Sequence, residues 1–442
     1  MSSNSSAWAS RGKKPRASSV IVLLILVLVL LVPGSRVVPG AIVSTPASLP
    51  AIEAAAPTAT HSQDVAAAPV QPTAEAAPNR GIAPPQVSAQ AIYAFDLQSG
   101  TVLYEKNIDE RRPVASITKV VTALVTVNNA ALDEQVKIID SDLLPPDSPY
   151  TKMGLHSGDT LSVAQLLYGL MVPSGGDAAL ALARHVGEKL RGSTDPDAAR
   201  TAFVDEMNKY VQTLGLKNSF FTDPAGEDDA NAFSTAHDVA ILGGELMKNA
   251  DLAFIVKEPS YSIPSQVGDP YAADNTNTLL GKEGVIGIKT GSTEGAGASL
   301  LLARSVNNGG NIVIMAVLGS TLAYDASSNI TADERYTDAK TIFADMDARF
   351  TWTSLDQIGD TFAGLKEEMA AWGVGLKDPP VMPIDMRAED KPSYQLVLGP
   401  PTDGGKQAGS VLLFTGDTLV ASVPVYQLGS NSGLLHPQKQ AV

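Results

Sequence analysis

Two lysine-bearing motifs and one interrupted helix carry the side chains best suited to covalent chemistry. In RRPVASITKVVTALV, Ser116 and Lys119 stand three residues apart at the start of a helical apolar pattern. Residues i and i+3 share a helix face, so the lysine amine can lie beside the serine hydroxyl. That hydroxyl is a weak nucleophile until a base takes its proton, and a desolvated lysine can do so once its pKa falls. A serine near a helix N-terminus also gains from the dipole when an oxyanion forms. In GVIGIKTGSTEGAGASLLLA, Lys289-Thr290-Gly291 ends a strand pattern. Lysine and threonine offer donors to a carboxylate, and the glycine lets another backbone come close. Between these motifs LMVPSGGDAALAL, residues 170–182, breaks two helical segments with Pro-Ser-Gly-Gly. The break is either a plain turn or a device that presents Ser174. Each motif alone has a structural explanation: a capping serine, a strand end, a turn.

The elements that must position them read as one α+β unit. QAIYAFDLQSGTVLYEKN is a hairpin pattern around Asp96-Leu-Gln-Ser-Gly. Helical patterns cover Thr118–Ala131, Leu161–Met171, Asp177–Leu190 and Ala198–Leu214. Three strands follow in EGVIGIKTGST, ASLLLARSV and NIVIMAVLGS, with turns at Gly295–Gly297 and Asn307–Asn311, and then a helix over Ala332–Met346. The expected sheet is antiparallel and assembled from the two ends of the segment, with helices between. Beyond about residue 350, SYQLVLGP, GSVLLFTGD and TLVASVPVY are short strands of a small β-rich module, while 355–376 is ambiguous between helix and loop. Trp352 and Trp372 flank this boundary and are expected to pack.

Composition narrows the function further. Thirty-two basic against 47 acidic side chains, a net −15, argue against a nucleic-acid partner. The absence of cysteine excludes disulfides, thiolate metal sites and a cysteine nucleophile. Arg11, Lys13, Lys14 and Arg16 precede the apolar run Val20–Val32, the pattern of an export signal or a retained membrane anchor. Residues 44–86 are rich in Ala, Pro, Ser and Thr and read as an extended tether. The expected organisation is therefore signal or anchor 1–43, linker 44–86, catalytic domain 87–349 and β-rich region 350–442. The segment HPQKQAV carries no amphipathic basic pattern. His61, His156, His185, His237 and His436 are scattered without metal-ligand spacing, and GEDDANAF reads as a loop with a helix cap, so no metal is expected.

Ser-x-x-Lys, then a Ser-x-Asn-type element, then Lys-Thr-Gly is the order found in penicillin-binding proteins and class A β-lactamases. The chain resembles, within that superfamily, the serine D-alanyl-D-alanine carboxypeptidases, from about Gln90 to Arg349. NIDERRPVASITKVVTAL, NSFFTDPAGEDDANAFSTAHDVAIL, NTNTLL and GAGASLLLA also fit this family. The resemblance implies a transpeptidase-like α+β fold with an inserted helical subdomain and no cofactor. It implies Ser116 as the acylated nucleophile, Lys119 as its base and Ser174 as a proton relay. Lys289 and Thr290, with Gly291 beside them, would bind the substrate carboxylate, as would Arg335, which an exposed helix position explains equally well. Backbone N–H groups of Ser116 and Ser292 would form the oxyanion hole. The implied substrates are peptidoglycan stem peptides, with β-lactams as inhibitors, outside the cytoplasm.

One position departs from the family pattern. Gly176 stands where asparagine is usual, and that side chain would bond both the catalytic lysine and the substrate amide. Asp177 is turned away from the vacancy by about 100°. Two alternatives stand beside the carboxypeptidase: a β-lactamase, whose water-activating glutamate loop has no recognisable counterpart here although Glu206 and Glu227 lie in the interval, and, on the strength of Gly176, a catalytically weakened wall-binding homologue.

Overall fold

Five strands form the central antiparallel sheet: β1 (Ala91–Asp96), β2 (Val102–Lys106), β3 (Val285–Thr293), β4 (Gly297–Val306) and β5 (Asn311–Ser320), in the order β2-β1-β5-β4-β3. The two ends of the segment do build one sheet, because β1 pairs along its whole length with β5. This computed structural model describes residues 81–428 except 326–329, 356–361, 363, 378–380, 388–391, 403–406 and 416–417. The export segment, most of the linker and the HPQKQAV terminus lie outside the described residues. Ile82 already pairs with Tyr104 on the edge of β2.

Successive side chains of a strand point to opposite faces, and both faces of this sheet are covered. Tyr93, Phe95, Leu301, Ala303, Ile314, Ala316 and Leu318 face a helical layer. Ile92, Ala94, Leu300, Leu302, Val313, Met315 and Val317 face a single helix on the other side. The helical layer holds α1 (Lys119–Asn129), α2 (Val163–Met171), α3 (Gly176–Arg191), α4 (Pro196–Thr213), α5 (Ala236–Lys248) and α6 (Ala250–Ile255). The opposite face is closed by α7 (Arg335–Arg349) through Ala339, Ile342, Phe343 and Met346. The architecture is thus the α+β arrangement expected, a sheet flanked by helices with a helical insertion.

Local chemistry sets the boundaries. Helix α2 starts two residues later than the apolar pattern suggests, because Thr160–Ser162 pairs as a strand with Gln135–Lys137 and Ser162 then caps the helix. Its hydroxyl accepts from Gln165 N at 3.2 Å while Gln165 Oε1 accepts from Ser162 N at 2.8 Å. Asp195 caps α4 ahead of Pro196 in the same manner. Helix α7 begins at Arg335, later than expected, since Ile330–Asp333 forms a strand ribbon with Leu322–Tyr324. A further ribbon, Ser260–Ile263 with Tyr271–Asp274, has no counterpart in the sequence reading.

After α7 the chain enters Phe350–Ser354, which pairs with Val381–Asp385. A four-stranded sheet follows, ordered Val374–Gly375, Thr418–Gln427, Gln407–Thr415, Pro392–Thr402, around Met382, Val411, Leu413 and Val425. Within the ambiguous 355–376 stretch, Leu365–Ala371 is a short helix, α8. Trp352 packs edge-on against Phe350, as expected of a boundary tryptophan. Trp372 does not: it sits past the end of α8 and is 64% exposed. Among the described residues no helix is long and apolar enough to cross a membrane.

Candidate active site

Ser116 lies in a single tight turn, Ala115–Thr118, that leads into α1. Ala115 takes a left-handed φ of 48°, a conformation rare for a residue with a Cβ and characteristic of functional turns. Gly226 holds the turn from below. A Cβ at 226 would lie 2.0 Å from Ala115 O, and Gly226 itself has φ +81°, so only glycine fits there. Strand β3 holds it from the side, where a Cβ on Gly291 would lie 2.7 Å from Val114 O.

Lys119 is buried and its Nζ donates to Ser116 Oγ at 2.9 Å and to Ala225 O at 2.6 Å. Burial lowers its pKa to about 8, against the opposing pull of Asp223, Glu227 and Asp177, which favour the charged form. A useful fraction of the amine is therefore neutral near physiological pH. Lys289 is also buried, donating to Thr290 O at 3.0 Å. Burial, and then the positive charges of Lys119 and Arg335, push its pKa well below the ordinary lysine value.

Ser174 sits between α2 and α3 with φ +70°, 4% exposed, its Oγ without a hydrogen-bond partner among the described residues. The Pro-Ser-Gly-Gly break is therefore more than a turn: it aims an unsatisfied hydroxyl into a cleft. Ser116, Ser174, Thr290, Ser292 and Arg335 line that cleft together with Thr151, Thr276, Asp333 and Tyr336. Lys119 and Lys289 are buried, and Gly291 abuts the turn that carries Ser116. All eight residues singled out from sequence thus converge on one place.

Arg335 is 3% exposed, which removes the exposed-helix explanation. Its Nε donates to Asp333 Oδ1 at 2.6 Å, Nη1 to Gly291 O at 2.9 Å and Ser299 O at 3.1 Å, and Nη2 to Ser292 Oγ. One of the five guanidinium N–H groups is left for a ligand. Thr290 Oγ1 shares a 2.7 Å hydrogen bond with Thr276 Oγ1, which ties β3 to the segment after the Tyr271–Asp274 strand.

Sequence reasoning missed Thr151, Asp333 and Tyr336. Thr276 lay in a stretch already noted, NTNTLL, and Asp333 and Tyr336 lay within the expected helix Ala332–Met346, but none of them was singled out; Thr151 lay in no noted stretch. The acidic candidates behave differently from one another. Asp177 faces away, accepting backbone N–H bonds from Met153, Gly154, Leu155 and Ala178. Glu206 pairs with Lys209 on the surface of α4. Glu227 lines a small pocket with Ala115 and Thr118, and burial raises its pKa. His237 packs on Tyr93 and bonds Asp238, a structural position.

Comparison with known proteins places the chain in a family. The family described as D-alanyl-D-alanine carboxypeptidase matches residues 78–321. The chain is 36% identical over 240 residues to D-alanyl-D-alanine carboxypeptidase DacA of Haemophilus influenzae, covering 52% of this chain and 56% of that one. Against D-alanyl-D-alanine carboxypeptidase of Streptomyces sp. strain K15 the identity is 36% over 275 residues, covering 60% and 92%. The chain thus spans little more than half of the first relative and nearly all of the second. Among solved structures, the Streptomyces K15 DD-transpeptidase superposes with a TM-score of 0.52 at 33% identity, covering 60% of this chain and 98% of that chain. Penicillin binding protein 5 from Haemophilus influenzae gives a TM-score of 0.60 at 27% identity, covering 78% and 98%.

Proposed function

Because the chain belongs to the D-alanyl-D-alanine carboxypeptidase family of serine hydrolases, we propose that it removes the terminal D-alanine from peptidoglycan stem peptides through an acyl-enzyme on Ser116. The observation that carries this reading is the buried Lys119 amine 2.9 Å from Ser116 Oγ, with its pKa lowered to about 8. Neutral Lys119 takes the hydroxyl proton as Oγ attacks the carbonyl between the two D-alanines. Backbone N–H groups of Ser116 and Ser292 receive the oxyanion. Ser174 passes a proton to the leaving nitrogen, the C–N bond breaks and D-alanine departs. Water then attacks the ester, and the proton it loses returns Ser116 to its hydroxyl form. Lys289, Thr290 and the free N–H of Arg335 hold the terminal carboxylate, with Gly291 and Ser292 completing the wall. A β-lactam presents a similar carbonyl beside a carboxylate and acylates the same oxygen.

The basic cluster Arg11–Arg16 ahead of Val20–Val32 supports an extracytoplasmic site of action, exported or held at the membrane by that segment. The test is labelled penicillin together with D-alanine release from a pentapeptide. Wild type should label and release, and Ser116→Ala should do neither. Labelling that persists in Ser116→Ala overturns the assignment. Gly176 favours the weakened wall-binding reading, for which the outcome would be peptidoglycan binding without D-alanine release. Rapid nitrocefin turnover would point instead to a β-lactamase.

A further inference from the structure

The asparagine missing at 176 would have had two partners, and the structure shows what meets each need. The lysine contact is already made: Lys119 Nζ donates to Ala225 O at 2.6 Å. The substrate amide is the partner left over. The space beyond Gly176 is occupied by the loop that precedes α2, for a Cβ at 176 would lie 3.0 Å from Leu144 Cδ1 and 3.3 Å from Thr151 O. Gly176 N donates to Thr151 O at 2.8 Å, so Thr151 is docked on the very residue that lacks a side chain. Beyond Lys152, three consecutive N–H groups, Met153, Gly154 and Leu155, are held at 2.7–2.9 Å by the carboxylate of Asp177. Thr151 is thereby fixed at its backbone from both halves of the Gly176-Asp177 pair, and its residue lines the cleft with Ser116 and Ser174.

Resting on the carboxypeptidase reading above, we propose that Thr151 is a substrate-binding residue whose hydroxyl supplies the polar contact to the stem-peptide amide that Gly176 cannot make. The two roles of one asparagine are here divided between the Ala225 carbonyl, which holds the lysine, and the Thr151 side chain, which faces the ligand. Glycine at 176 is then what lets the loop come close enough for threonine to serve.

The test measures kcat and KM for D-alanine release from an acyl-D-Ala-D-Ala peptide by wild type, Thr151→Val, Thr151→Ser and the double variant Thr151→Val with Gly176→Asn. Valine is nearly isosteric and removes only the hydroxyl, at an exposed position where folding has little to lose. A lost hydrogen bond corresponds to a fall in kcat/KM of about five- to tenfold for Thr151→Val. Thr151→Ser should stay within about twofold of wild type, and Gly176→Asn should not recover the loss in the double variant, because a Cβ at 176 already meets Leu144 Cδ1 at 3.0 Å and Thr151 O at 3.3 Å. Thr151→Val at wild-type efficiency overturns the proposal, as does an equal loss in Thr151→Val and Thr151→Ser. Failure of wild type itself to acquire a penicillin label at Ser116 refutes the underlying enzymatic reading instead, so the two failures are distinct.

Discussion

Replacing Asp177 by asparagine changes one atom and tests how the cleft is held open. Both carboxylate oxygens of Asp177 are committed. Oδ1 accepts from Met153 N at 2.7 Å and Ala178 N at 2.9 Å, and Oδ2 accepts from Gly154 N at 2.8 Å and Leu155 N at 2.9 Å. Whichever way an asparagine amide is turned, its NH2 group faces two backbone donors and accepts from neither. Leaving a buried donor unsatisfied costs about 1–3 kcal/mol, and the surviving pair loses its charge assistance. The summed loss is about 2–6 kcal/mol, a large share of a typical stability of about 5–15 kcal/mol. Urea unfolding should show a lower midpoint at unchanged slope. The lost negative charge acts on Lys119 too, since Asp177 favours the ammonium form. Its removal moves the rising limb of the acylation pH profile to lower pH. A stability loss below about 1 kcal/mol would refute the claim that this carboxylate organises the loop.

Four further outcomes follow from the same geometry. Acylation of Ser116 by labelled penicillin should rise with pH and reach half-maximum near 8, because Lys119 acts as the neutral amine and its pKa is lowered to about 8; Lys119→Arg, always charged, should lose about a hundredfold or more, and a profile flat from about pH 6.5 to 9.5 contradicts the role. Gly226→Ala puts a Cβ 2.0 Å from Ala115 O and should slow acylation about a hundredfold by displacing the nucleophile turn; an unchanged labelling rate counts against that support. Arg184→Met strips two of the hydrogen bonds, at 2.9 and 2.8 Å, that neutralise the fully buried Asp142, and thermal unfolding should register a loss of about 3 kcal/mol where a neutral result would mean that Arg200 suffices alone. Trp352→Phe removes the bond from Nε1 to Asp96 Oδ2 and should cost about 1 kcal/mol in stability while leaving the penicillin labelling rate of Ser116 unchanged.

The legible parts of the fold were those whose period matches their burial. β1, β4 and β5 are apolar on both faces because both faces are covered, and a continuous apolar run is what such a strand requires. Helix α5 was not legible, since Gly243 and Gly244 argue against a helix. Packing overrides that preference. A Cβ at 243 would come within 3.0 Å of Leu301 Cδ1, and one at 244 within 3.1 Å of Phe95 Cζ, so the two glycines let α5 lie close against the sheet. The short ribbons escaped for a different reason: pairs three or four residues long carry too few alternations to register as strands. In the site, Ser116, Lys119 and the Lys289–Ser292 run were readable because each function sits in a contiguous motif. Thr151 and the Ala225 carbonyl were not, since one acts from a loop with no periodicity and the other through a backbone atom that any residue carries.

The same reasoning separates the chemistry from the C-terminal module. Strand register runs from Ala298 opposite Ser320 at one end of β4–β5 to Val306 opposite Asn311 at the other, and Lys289–Ser292 pairs with the residues nearest Ala298. The module attaches at the Asn311 end, where Asp96 accepts from Asn311 Nδ2 and Trp352 Nε1 while Asn311 also donates to Val381 O at 3.2 Å. Helix α7 joins the two ends. Arg335, in its first turn, braces Ser292, and Arg349, in its last, pairs with Asp385 of the module at 2.8 Å. Fifteen residues of helix span about 22 Å, well past the range over which exposed charges act in physiological salt. The helix is a packed strut, buried along Ala339, Ile342, Phe343 and Met346, with no second arrangement in view. The module is therefore joined by packed and hydrogen-bonded contacts to the end of the sheet opposite Lys289–Ser292.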